Sequence, residues 1–343
     1  DRLLGGINLA VRLSFGSLGD TTDLRSFAVL ADPATRLILP DPEPPGSVQA
    51  TAGNGVAAFD DPDAETALRT AALTAPHLAV TRMLYGAYLS REGFADDSIR
   101  ELTAAREIDA DDPQILYELG VAYALAGDHD RATDVLADAV RLDPEDRESW
   151  IRQGELALSE QRFDVAAEAF AKVKSLPGGA AGGGLGLART YLAQARLDEA
   201  LLETQAVLAD MPGLYLAHYL DALIKYGQDD LDGAESAIRQ VQRVVPDHIP
   251  SLYLMGAIKF RQGQLNQAEG SLLQYLSRDR SNESAAKLLA VIRAQKDDLD
   301  GTIEALTPYS QTSQDPQLLA MLGTAQLRQG AVSEATATLE RAV

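Results

Sequence analysis

The 343-residue chain contains no cysteine, which excludes disulfide bonds, thiolate metal ligands and a cysteine nucleophile. Its four histidines, at positions 77, 129, 218 and 248, occur at no spacing typical of a metal site. No run of about 18 apolar residues is present, so no segment is predicted to span a membrane. No nucleophile elbow and no dinucleotide fingerprint after a strand pattern is found. These absences predict a protein that is not an enzyme and has no metal or cofactor site.

Basic residues are also scarce. The chain has 30 of them against 51 acidic residues, which gives a formal net charge of −21. Because binding to nucleic acid and to anionic membranes depends on positive charge, both are disfavoured as partners. Acidic pairs such as Asp111-Asp112 and Asp229-Asp230 fall at predicted turns, where carboxylates usually cap helices rather than catalyse. Neutral or basic protein surfaces remain as the predicted partners.

A repeat occupies residues 79–343. A small residue recurs at a constant interval, and only the last interval is one residue shorter. These residues are Gly86, Gly120, Gly154, Ala188, Ala222, Gly256, Ala290 and Gly323. A second position, usually alanine, recurs in step with it at Ser98, Ala132, Ala166, Ala200, Ala234, Ala268, Thr302 and Ala335. A mostly large side chain follows four places later at Leu102, Leu136, Phe170, Thr204, Ile238, Leu272, Leu306 and Leu339.

This register predicts paired helices. Two helices approach closely only where neither carries a bulky side chain, so the two small positions are expected to mark the crossing of a pair. The large side chain is expected to fill the groove between neighbouring pairs. Eight such pairs are predicted, stacked on one another as an α-solenoid.

The run Ile115 to Tyr123 (ILYELGVAY) resembles the tetratricopeptide repeat. This resemblance implies an all-α tetratricopeptide superhelix of about eight helix pairs. Residues 215–343 are more narrowly similar to the tetratricopeptide lipoproteins of bacterial PEP-CTERM sorting and exopolysaccharide systems, through runs such as 217–220, 245–252 and 315–323. That similarity implies a bacterial protein of the periplasm or cell envelope, with a lipid anchor that would lie upstream of Asp1. A cytoplasmic protein is the alternative.

Residues 1–78 do not show the full repeat. Alternating apolar residues from Leu9 to Phe15 predict a strand, and a proline-rich stretch at 40–45 predicts a stiff spacer. Residues 1–60 are therefore expected to form a short β or irregular arm that either packs on the array or pairs with a partner. Residues 61–78 are expected to form a degenerate capping helix, with Asp61 as its cap and Pro62 at its first position.

Glycines cluster at 178–184, where the fourth pair begins. Each glycine costs about 1 kcal/mol inside a helix, so the stretch predicts a loosened joint between two half-arrays. A phosphate-binding loop is disfavoured, because no Lys-Ser/Thr follows and no strand precedes.

The first helices of such an array line its concave face, where a partner groove is expected. The predicted groove residues are Leu185, Leu192, Leu216, Tyr219, Leu223, Tyr226, Tyr253, Ala257 and Phe260. An apolar and aromatic strip of this kind suits an extended or helical segment of a partner. The alternative is that these side chains only pack between neighbouring repeats. A carboxylate clamp for chaperone tails is not predicted, because Lys287 is isolated at its position.

The leading functional prediction is a non-enzymatic scaffold or adaptor for protein partners in the bacterial envelope. Two alternatives stay open. The chain could be a structural subunit of a large membrane-associated complex that docks through residues 1–60. It could also be the binding domain of a longer enzyme.

Overall fold

The computed structural model describes residues 64–342, so the predicted arm lies outside the described residues. Within that range the chain forms 17 α-helices and a short 3₁₀ helix at Thr307–Tyr309, with no β-strand. None of these described helices combines the length and the apolar character needed to cross a bilayer. The described residues form two compact units, 64–190 and 191–342.

The unit 64–190 contains α1 (Ala64–Thr74), α2 (Ala79–Arg91), α3 (Ala95–Ile108), α4 (Pro113–Leu125), α5 (His129–Leu142), α6 (Arg147–Ser159), α7 (Phe163–Ser175) and most of α8 (Ala180–Ala193). The unit 191–342 contains α9 (Leu197–Asp210), α10 (Tyr215–Gly227), α11 (Leu231–Val244), α12 (Ile249–Arg261), α13 (Leu265–Arg278), α14 (Glu283–Gln295), α15 (Leu299–Leu306), α16 (Pro316–Gln329) and α17 (Val332–Glu340).

In sequence order, α2 to α17 make eight helix–turn–helix pairs, which confirms the predicted helical repeat. A first helix packs against the second helix of its own pair, as α4 does against α5 and α12 against α13. The second helix then packs against the first helix of the next pair, as α13 does against α14, where Leu272 and Leu289 share one hydrophobic cluster. Stability therefore comes from stacking each pair on its neighbours.

The recurrent small residue sets the distance between the two helices of a pair. A β-carbon on Gly120 would lie 2.6 Å from Cγ of Leu136, a residue with no exposed surface. In the first pair, the hydroxyl of Ser98 donates to the backbone carbonyl of Gly86 at 2.7 Å. The predicted close crossing is therefore confirmed, and at Gly120 only glycine permits it without displacing the leucine.

The turn between the two helices of each pair contains one residue with a positive φ. These residues follow the same period, at Gly93, Gly127, Gln161, Ala195, Asp229, Gly263, Asp297 and Gly330. Glycine takes this left-handed conformation without steric cost at four of the turns, as at Gly127 and Gly263. Four of the turns place a larger residue there, at a cost of roughly 1–2 kcal/mol each.

The glycine stretch at 178–184 opens α8 and lies close to α7. A β-carbon on Gly183 would lie 2.6 Å from Cα of Lys174, and one on Gly179 would overlap the carbonyl oxygen of Val173. These two glycines therefore allow a close backbone approach. The predicted loosening of the joint stays a prediction.

Helix α1 lies inside the segment expected to cap the array. It packs against α2, with Ala72 buried and Leu73 71% exposed. Its predicted cap, at Asp61 and Pro62, lies outside the described residues. The capping role stays a prediction.

Candidate functional site

The predicted groove residues lie on three helices, α8, α10 and α12. Five of them are buried, namely Leu185, Leu192, Tyr219, Leu223 and Ala257. The other four are half-buried, namely Leu216, Tyr226, Tyr253 and Phe260. Only these four, all on α10 and α12, have surface that a partner can touch without rearranging the helices. We call them the aromatic face.

Tyr226 is held in place by the next repeat. The guanidinium carbon of Arg261 lies 4.8 Å from the centroid of the Tyr226 ring. Arg261 also donates to the backbone carbonyl of Tyr226 at 3.0 Å and to the carboxylate of Asp229 at 2.5 Å. A cation stacked on an aromatic ring contributes about 0.5–1 kcal/mol at exposed sites. The ring is therefore fixed before any partner arrives.

Tyr253 belongs to the same surface. Burial, with a smaller effect from the nearby Tyr226, raises the pKa of Tyr253 to about 12. Its ring centroid lies 5.6 Å from that of Tyr275, in a tilted arrangement. Phe260 and Tyr253 both rest on the hydrophobic cluster formed by α12, α13 and α14. The phenol of Tyr253 is thus neutral at physiological pH and can donate a hydrogen bond.

Tyr219 has a different environment from the one the sequence favoured. It is 2% exposed, and its ring meets the ring of His248 edge-on at 5.0 Å. His248 is the N-cap residue that directly precedes α12. Its ring also lies 5.6 Å from that of Tyr215, and its Nδ1 lies 2.7 Å from the hydroxyl of Ser251. Tyr219 therefore joins two successive repeats, which is the alternative that the sequence left open.

Sequence reasoning missed two buried ion pairs, each of which joins successive repeats. Glu235 lies 2.7 Å from Nζ of Lys259, and Glu269 lies 2.8 Å from Nε of Arg293. The two pairs are related by the period of the repeat, and this spacing could have revealed them. The side chains of Lys259 and Arg293 are only 7% and 12% exposed.

The ionisation of Glu235 reflects this environment. Burial opposes the charged form, but hydrogen bonds from Lys259, Arg239 and Gln262 lower the pKa of Glu235 to about 2. Lys259 also donates to the side-chain oxygens of Gln262 at 3.2 Å and Gln264 at 3.0 Å. The buried ammonium is therefore surrounded by acceptors, as a desolvated charge requires.

First helices of the unit 64–190 carry aromatic side chains too, and α6 adds a cluster of charged ones. Arg152 of α6 donates to Glu155 at 3.3 Å, and Glu155 lies 4.0 Å from Arg189 of α8. Burial raises the pKa of the neighbouring Tyr117. No sequence pattern singled these residues out.

Among residues 64–342, no group of three histidine or acidic side chains is arranged to hold a metal ion.

Comparison with known proteins identifies the repeats. A model of the tetratricopeptide repeat matches residues 113–156, which span α4 to most of α6. No curated protein sequence matches the chain.

Three solved structures have a similar fold. The crystal structure of PilW, described as a widely conserved type IV pilus biogenesis factor, has a TM-score of 0.54 and 19% identity, covering 66% of this chain and 98% of PilW. A tetratricopeptide repeat protein from Parabacteroides merdae has a TM-score of 0.56 and 19% identity, covering 67% of this chain and 91% of that one. Yeast Tom70 has a TM-score of 0.59 and 16% identity, covering 78% of this chain and 59% of Tom70. At these identities the similarity establishes the fold, an array of tetratricopeptide repeats.

Proposed function

We propose that this protein is a non-enzymatic scaffold that binds a segment of another protein along the aromatic face of α10 and α12. The observation that carries the proposal is the set of half-buried side chains Leu216, Tyr226, Tyr253 and Phe260. Arg261 fixes the first of the aromatic rings by stacking on it. Preordered aromatic side chains of this kind supply most of the binding energy at protein interfaces, because little entropy is lost when they are covered.

The chemistry of the face indicates the kind of segment it accepts. Three aromatic rings and a leucine offer apolar surface, while the Tyr253 hydroxyl and the Arg261 guanidinium offer hydrogen-bond donors at its edge. An extended or helical segment with apolar anchors and an acceptor group matches this arrangement.

We further propose that the protein acts in the bacterial cell envelope. The similarity of residues 215–343 to envelope lipoproteins supports this location, and one fold relative is described as a pilus biogenesis factor. Fractionation of the native host tests it. Recovery of the protein only in the cytoplasmic fraction would contradict the proposal.

The binding proposal is tested by the double variant Tyr226→Ala with Phe260→Ala. Loss of central aromatic anchors should weaken partner capture by about 2 kcal/mol, which is roughly thirty-fold. Phe94→Ala is the control, because Phe94 is an aromatic residue that is 57% exposed and lies in the other unit. All variants should first be compared by thermal melting, because Phe260 also rests on the core.

Partner capture from the native host, quantified for folded variants, distinguishes the candidates. Retained capture by the double variant, or an equal loss with Phe94→Ala, would refute the aromatic face. Removal of residues 1–45 tests the alternative of an accessory subunit. If that truncation abolishes assembly while the double variant keeps it, the chain docks through its first residues instead.

Tyr219→Ala should behave differently from the double variant. Because Tyr219 is 2% exposed, its truncation creates a cavity and should destabilise the fold by about 3 kcal/mol. The affinity of the remaining folded protein should be unchanged. A variant with normal melting and reduced capture would instead show that Tyr219 contacts the partner.

A further inference from the structure

A polar depression of about 390 Å³ opens between the second helices α11 and α13. It is lined by Glu235, Arg239 and Gln242 of α11, Met255 and Lys259 of α12, and Gln267 and Ser271 of α13. Lys259 lies about 240° around α12 from Tyr253, since a helix turns about 100° per residue. The depression is therefore on a different side of α12 from the aromatic face.

The polar lining is not imposed by the repeat. One period further along, Leu276 and Ala305 stand where the depression has Gln242 and Ser271. Both are partly buried and pack against the hydrophobic cluster of α12, α13 and α14. At these two positions the next repeat interface thus carries apolar side chains, beside its own ion pair of Glu269 and Arg293. The same fold therefore accepts apolar residues at these positions, and the polar residues Gln242 and Ser271 are a feature of this one interface.

The depression is positively charged. Arg239 and Lys259 share the single carboxylate of Glu235, at 2.5 Å and 2.7 Å. Two cations and one anion therefore line this surface, in a chain whose formal net charge is −21.

The other acidic residues of these helices have partners elsewhere. Residues 231–278 contain five basic and four acidic side chains. Glu269 pairs with two basic residues of the next repeat, Asp247 with Arg278, and Asp232 accepts from Gln262. None of these three carboxylates lines the depression.

We propose that the polar depression between α11 and α13 is a second docking site, which binds a carboxylate side chain in an acidic segment of a partner protein. The Arg239 side chain is 65% exposed, and Glu235 accepts from one nitrogen of a guanidinium that has five N–H donors. Gln242, Gln267 and Ser271 supply neutral donors around it. Because the chain has a formal net charge of −21, charge complementarity favours this positively charged place over the acidic surfaces of the chain.

The site is tested with a fluorescein-labelled peptide of alternating glutamate and alanine, and with its glutamine–alanine counterpart as the neutral probe. Fluorescence anisotropy with the full chain at low salt should show tighter binding of the acidic peptide, and added salt should weaken it. Arg239→Gln should weaken binding by at least about five-fold.

Arg141→Gln is the matched control. Arg141 has a side chain that is 67% exposed and pairs with an acidic residue on its own helix, as Arg239 does. Its substitution should leave the affinity unchanged. An equal loss in both variants would show a general charge effect and would overturn the proposal, as would equal binding of the two peptides or no binding of the acidic one.

A second variant removes two neutral hydrogen-bonding side chains of the depression without removing a charge. Gln242→Leu with Ser271→Ala copies the apolar residues of the next interface and should weaken binding of the acidic peptide while melting remains normal. Full binding by this variant would overturn the proposal. The Tyr226→Ala, Phe260→Ala protein should still bind the acidic peptide, so a failure here and a failure at the aromatic face are distinguishable.

Discussion

Replacing Gly256 with alanine would place a β-carbon 2.8 Å from Cγ and 3.0 Å from Cδ2 of Leu272, which has no exposed surface. The crossing of α12 and α13 must open or the leucine must leave its rotamer, and such overpacking costs about 1–3 kcal/mol. The better helix propensity of alanine offsets about 1 kcal/mol of this cost. We expect Gly256→Ala to destabilise the protein by up to about 2 kcal/mol.

Gly270 provides the matched control, because the same substitution on α13 should have the opposite effect. A β-carbon on Gly270 would meet nothing within 4 Å. The residue is exposed to solvent and lies away from both ends of α13. Gly270→Ala should therefore stabilise the protein by about 1 kcal/mol, through helix propensity alone.

Thermal melting followed by circular dichroism should show shifts of a few degrees in opposite directions. Repeat arrays need not unfold in one step, so amide exchange in α12 and α13 provides a local measurement of the same free energies. A Gly256→Ala protein that melts at or above the temperature of the parent would refute the steric reasoning. A destabilised Gly270→Ala protein would refute the propensity argument.

Three further substitutions or measurements address other parts of the chain. Ala195→Gly should stabilise by about 0.5–1 kcal/mol, because glycine relieves a φ of 57°, whereas Ala126→Gly at a φ of −73° should destabilise in the same melting assay. Folding lowers the pKa of Glu235 from 4.5 to about 2. The charged carboxylate therefore contributes its full share to the free energy of unfolding above about pH 4.5, and this contribution is lost as the pH falls towards 2. Glu235→Gln should remove this pH dependence and cost about 2 kcal/mol at pH 7 in denaturant titrations, and an unchanged acid transition would contradict the assignment. If the glycines weaken α8, amides at 185–191 should exchange faster than those at 116–123, and equal protection would argue against a joint.

The helix pairs could be predicted because their signal is periodic. The interval between Gly86, Gly120 and their successors fixes where two backbones cross, and no knowledge of distant contacts is needed. The left-handed residue of each turn can be read from the sequence only where it is a glycine. At Gln161 and Ala195 the same backbone conformation is imposed by the flanking helices against the preference of the residue, so the local sequence gives no sign of it.

The accessibility of the partner surface was harder to predict, because one sequence position can face a partner or a neighbouring repeat. Tyr219 and Tyr253 occupy the same place in successive first helices, yet the first is covered by His248 and the second remains half-buried. The difference comes from the residue that the next helix pair places against the tyrosine, which for Tyr219 is His248. That contact depends on the stacking of two pairs, which a single repeat does not encode.

The ion pairs between successive repeats have a consequence for how this array can change its length. Glu235 with Lys259 and Glu269 with Arg293 present the same charges at equivalent places on consecutive interfaces. If residues 249–282 were excised as one module, Glu235 would face Arg293, and no buried charge would lose its counterion. Duplication of the same module would likewise repeat an interface that already fits. The electrostatics of the stack thus permits insertion and loss of whole modules by recombination, whereas loss of only part of a period, for example a stretch with Lys259 but without Glu235, would strand a desolvated charge.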